Sequence, residues 1–67
     1  MEKHVPMNDQ DVILAAYADS LKNLYNVLLD AFVEAHQDQK AQTLATQRFS
    51  AGLAVARKAR DAALAYL

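Results

Sequence analysis

Cysteine is absent from this chain of 67 residues. That excludes disulfides and any zinc site built on thiolates. There is one glycine and one proline, too few for a turn-rich β fold. No apolar run approaches the roughly 18 residues of a membrane span. The opening stretch Met1–Pro6 lacks the apolar core of a signal peptide. These absences set the expectation of a soluble, cytoplasmic protein. Neither charge sign dominates: the net charge is −1 and the pI about 6.0, so there is no global pull toward nucleic acid.

What the chain does contain favours helix. Hydrophobic residues make up 54%, and 14 of the 67 residues are alanine, the best helix former. A disordered chain would be far less apolar. The length allows one small domain, 1–67, and a chain this short hides only about 60% of its unfolded surface on folding. Without disulfides or a thiolate metal site, stability must come from regular helix packing, from oligomerisation, or from both.

Residues 1–7 read as a loose leader, with Pro6 disfavouring helix just before it. A first helix is expected over about 8–36. Asn8 is a good N-cap, and Asp9 and Asp11 in the first turn suit the helix dipole. Met7 and Val12 have the spacing of a hydrophobic staple. A heptad ladder then runs through Leu14, Tyr17, Leu21, Leu24, Leu28, Ala31 and Ala35, flanked by Ile13 and Val27 on one side and by Tyr25 and Phe32 on the other. The stripe is wide enough for two or more neighbouring helices. Asp19, Lys22, Asn23, Asn26 and Asp30 mark the wet face. Leu29 and Val33 interrupt it and are candidates for a partner surface.

A turn is expected at about 37–39, although no glycine or proline marks it. The rival reading is one continuous helix paired with a second copy. Asp38 could cap a second helix over about 40–66. Placed at 100° per residue, that helix shows a groove of small residues: Ala41, Ala45, Gly52, Ala56, Ala59 and Ala63. Leu44, Val55 and Tyr66 line one edge, and Phe49, Leu53, Leu64 and Leu67 the other. Such a groove lets a partner helix approach closely, which offers a reason for a glycine that costs about 1 kcal/mol relative to alanine. Leu21, Leu24, Tyr25, Leu28 and Phe32 are the knobs expected to fill it.

The charges are divided between the halves. Residues 1–38 carry seven acids and two bases, and residues 39–67 carry five bases and one acid. Folding back near Asp38 pairs residues whose numbers sum to about 76–78, which sets Asp30 level with Arg48 and Asp19 with Arg57. Exposed pairs of this kind contribute about 0–1 kcal/mol each, so their role would be to select the antiparallel arrangement. An Asp30→Arg change should then be partly restored by Arg48→Asp.

Little here points to chemistry. Glu34, His36 and Asp38 are two residues apart and point in different directions, whereas ligands on a helix share a face at three or four residues. A solvated turn is the favoured reading, and the same holds for His4. Ser20, Thr43, Thr46 and Ser50 lack a neighbouring base or oxyanion loop and read as helix residues bonding back to the previous turn. No phosphate or dinucleotide motif is present. No enzyme activity, cofactor or metal is therefore expected.

Arg57-Lys58-x-Arg60 could touch phosphate, with Lys40 and Arg48 as further contacts, but Tyr66 is the only aromatic nearby in sequence for base stacking. In length and inferred topology the chain is similar to plasmid copy-number regulators of the Rop type, helical-hairpin dimers that bind RNA through bundle faces; no residue motif is shared. The preferred expectation is an all-α protein, a two-helix antiparallel hairpin that dimerises into a four-helix bundle. It would act as a non-enzymatic interaction or regulatory module whose partners are itself and another protein. Leu29, Val33, Arg57 and Lys58 are its candidate partner surface. A nucleic-acid-binding regulator is the alternative, and no membrane is expected as a partner.

Overall fold

Two helices account for nearly all of the described residues. The computed structural model describes residues 8–67, so the expectations for Pro6, Met7, His4 and the leader lie outside the described residues. Helix α1 spans Asp9–Ala35 and helix α2 spans Gln39–Leu64. They pack side by side as an antiparallel hairpin. The ends differ from the sequence expectation by one or two residues, the usual scatter of frayed termini. The continuous-helix alternative is overturned: the chain reverses over residues 36–38.

Side-chain caps fix where each helix begins. The Asn8 side chain accepts a hydrogen bond from the Asp11 backbone N–H at 2.8 Å. Asp38 accepts from the backbone N–H groups of Lys40 and Ala41, at 3.0 and 3.4 Å. Each of these caps contributes on the order of 1 kcal/mol by satisfying N–H groups that have no helical partner.

The turn is held by backbone and side chain together. The His36 N–H donates to the Val33 carbonyl and the Asp38 N–H to the Ala35 carbonyl. Gln42 reaches back from α2 to donate to the His36 carbonyl at 3.1 Å. His36 itself sits at φ 57°, ψ −112°, the one non-glycine residue with positive φ among those described. A side chain there is strained by about 1–3 kcal/mol, and glycine relieves such strain because it has no Cβ. His36→Gly is therefore expected to raise stability by about 1 kcal/mol, read as a higher urea midpoint. A lower midpoint would mean that the histidine ring makes a contact more valuable than the strain it carries.

Small residues bring the helices together as the groove requires. Ala41, Gly52, Ala56 and Ala63 are half-buried and Ala45 is buried. Leu21, Leu24, Leu28 and Phe32 are half-buried against them. Gly52 sits tight against α1: a Cβ there would lie 2.6 Å from Leu24 Cδ2. Two members of the expected sets fall elsewhere. Ala59 is exposed, and Tyr25 is 56% exposed, because each lies too far round its helix from the line of contact. On α2, Phe49, Leu53 and Leu64 are half-buried, whereas the Leu44, Val55 and Tyr66 edge is exposed.

The register is the one expected from a chain folded back near Asp38. Leu24 meets Gly52 and Arg60 lies over Tyr17, both within the expected sum. The result is a single layer of helix, with a Cα trace only 8 Å thick. Ala45, 6% exposed, is the sole fully buried residue among those described. A hairpin of this kind has a seam but hardly a core.

Candidate interaction surface

Arg60 is the best-anchored charged side chain. Its Nε donates to Asp61 Oδ1 at 2.9 Å, and its guanidinium carbon lies 4.6 Å from the centre of the Tyr17 ring on the opposite helix. Arginine suits this position because its plane can stack on an aromatic face while its edge bonds a carboxylate. The Asp61 hydrogen bond is the main reason that the guanidinium pKa lies above its ordinary value; partial desolvation opposes the shift. The sequence grouped Arg60 with Arg57 and Lys58 as a phosphate-touching set. The pairing of positions 17 and 60 in the register was the signal that could have revealed the stacking.

The cationic group is therefore smaller than the sequence suggested. Arg57 and Lys58 are exposed, as are Lys40 and Arg48. Among the described residues, the only ion pair within 4.0 Å is the local Arg60–Asp61 contact. Asp30 and Arg48, and likewise Asp19 and Arg57, stand level along the hairpin without bridging. At 100° per residue Asp19 and Asp30 project from the outer side of α1, away from the seam, so height alone does not bring them together. The recovery foreseen for Asp30→Arg with Arg48→Asp has no contact to rest on.

Leu29 and Val33 lie on the outer side of α1, 46% and 64% exposed. They share a helix flank, whereas Arg57 and Lys58 are on α2 near the opposite end. The four candidate partner residues are thus not brought together into one site. The hairpin also leaves a larger apolar surface uncovered, as the breadth of the stripes led one to expect. Leu14, Tyr25, Leu29 and Val33 on α1, and Leu44 and Val55 on α2, are all exposed.

No group of three His, Asp or Glu side chains among the described residues is placed to hold a metal ion. His36 stands in the turn, and the backbone carbonyl of that residue, rather than its ring, makes the cross-turn bond. Of the hydroxyls, Thr46 donates to the Gln42 carbonyl one turn back, at 2.9 Å, as expected for a helix residue. A hollow of about 80 Å³ between the helices is lined by Leu24, Val27, Leu28, Ala31, Ala45, Arg48 and Phe49. Larger hollows, about 370 Å³ beside Ser20, Asn23 and Val55 and about 440 Å³ beside Asn8 and Tyr66, lie open to solvent, unlike the clefts that enclose most of a small molecule. No helix among the described residues is long and apolar enough to cross a membrane.

Compared with protein-family models, with curated proteins and with solved structures, the chain matches none.

Proposed function

We propose that the protein is a non-enzymatic interaction module that works as a homo-oligomeric helical bundle. One observation carries the reading: among the described residues only Ala45 is fully buried. With no cysteine for a disulfide and no metal-holding group among the described residues, a chain of this size needs another source of stability. A second hairpin laid on the first would convert the half-buried ridges of both helices into the interior of a four-helix bundle. The small interhelical hollow and the scattered carboxylates offer little to a substrate. The surface, with its exposed apolar side chains, offers much to another protein. The nucleic-acid alternative keeps Arg57, Lys58, Lys40 and Arg48 as exposed cations, but they are spread along α2 rather than gathered into one patch.

Light scattering on the full chain at micromolar concentration tests the reading. The expected mass is twice the 7.4 kDa of the chain, or a higher multiple. A mass of 7.4 kDa with helical circular dichroism intact would overturn it.

A further inference from the structure

The seam residues of the two helices keep one heptad frame straight through the turn. From Tyr17, alternating steps of four and three residues pass through Leu21, Leu24, Leu28, Ala31 and Ala35. The same steps run on through Asp38 to Gln42, Ala45, Phe49, Gly52 and Ala56. All of these are buried or half-buried except Asp38, in the turn itself. The frame first meets an exposed residue of α2 at Ala59. A hairpin does not require this, because a turn lets the second helix start its pattern at any phase. An unbroken frame matters when the helices are joined end to end. It then places both seams on one face of a left-handed coiled coil.

The link between the helices is suited to opening. It is three residues long, His36, Gln37 and Asp38, and contains no glycine or proline. His36 stands at φ 57°, ψ −112°, outside the regions open to a residue with a Cβ. Short hinges under strain invite exchange of an identical element between copies. Closed, the turn keeps the Asp38 cap and the Gln42 bond to the His36 carbonyl, all on exposed groups. Straightened, it sheds the strain at His36. The last carbonyls of α1 then meet the first N–H groups of α2, which otherwise lack helical partners. The seam says what a freed α1 packs on. Leu24 meets Gly52 and Tyr17 meets Arg60, and each pair is centred on residue 38 or within one residue of it. Two straightened chains laid antiparallel about that point reform both contacts, now between copies. Nothing further has to be covered, so neither broad face of the hairpin is used.

We infer that the turn at 36–38 is a hinge through which this chain exchanges helices with a second copy. One chain alone closes as the hairpin. Two chains open into an antiparallel coiled coil in which the α1 of each packs on the α2 of the other. Because the chain has no cysteine, Ala16→Cys with Ala62→Cys, both at exposed positions, can carry a pair of spin labels. The labelled chain is diluted into an excess of unlabelled chain and refolded from urea at a series of total concentrations. Pulsed dipolar spectroscopy then reads the distance within one chain. The hairpin holds the labels within about 25 Å, given the spacing of packed helices. The opened chain separates them by 46 residues of helix, about 70 Å. The long distance is expected to appear and to grow as total concentration rises to one millimolar. His36→Gly, which removes the strain of the closed turn, should lower the association constant of the opened form at least tenfold. His36→Ala keeps a Cβ in the turn and favours helix, so it should raise that constant. Only the short distance at every concentration would overturn the inference. So would equal effects of glycine and alanine. A dimer mass by light scattering with only the short distance would overturn the exchange and leave the bundle of closed hairpins standing.

Discussion

Gly52→Leu is expected to destabilise the protein by about 1–3 kcal/mol, the usual cost of forcing extra methylenes into a packed contact. The reason is local. A Cβ at position 52 would already sit 2.6 Å from Leu24 Cδ2, and a leucine adds three carbons beyond it. Part of the strain can be absorbed by rotating Leu24, whose terminal methyl is the atom in the way. The remainder must push the helices apart along the only close seam they have. Gly52→Ala is the informative comparison. It gains about 1 kcal/mol of helix propensity and asks only Leu24 to move, so its net effect should be small. Shortening Leu24 to alanine in the Gly52→Leu background should recover part of the loss, as expected for residues in contact. Urea titrations read all of these as midpoint shifts at constant slope. A neutral Gly52→Leu would mean that the two helices do not meet there.

Thermal stability is expected to depend on protein concentration. If folding is completed by a second copy, a hundredfold change in concentration changes the free energy of the dimer by about 2.7 kcal/mol. For a dimer of two such chains this corresponds to roughly 10 °C in melting temperature. Melts followed by circular dichroism at one micromolar and at one hundred micromolar would show it. The effect follows from how little the single hairpin buries, with Ala45 alone fully buried. A melting temperature independent of concentration would place all the stability within one chain and remove the proposed role.

The sequence made some of these features legible through local chemistry. Asn8 and Asp38 are residues whose short polar side chains reach the first turn of a helix, and both act as the caps expected of them. The register was readable by counting back from the turn at Asp38, and the line of small residues on α2 agrees with it. The close approach at Gly52 follows from that line. Tyr25 and Ala59 were misplaced because an apolar stripe wider than one seam does not say which of its edges meets the neighbour. The ion pairs were over-read for a similar reason. Position along a hairpin can be counted from the turn, but bridging also requires both side chains to project toward each other, and Asp19 and Asp30 do not. The strained turn at His36 was invisible because no glycine or proline marked it.

The way the helices are matched also orders the steps of folding. Each contact across the hairpin joins a residue to one equally far from the Asp38 turn, so the loop closed by a contact grows steadily toward the open end. Ala31 and Ala45, which border the same hollow, close a short loop. Asn8 and Tyr66, which border another, close almost the whole chain. Loop entropy rises slowly with length, by about 0.6 kcal/mol per doubling, but it always favours the inner pairs. The hairpin is thus built like a zipper with its stop at Asp38. On loop entropy it is expected to close from the turn outward and to open first where Asp9 begins α1 and Leu64 ends α2.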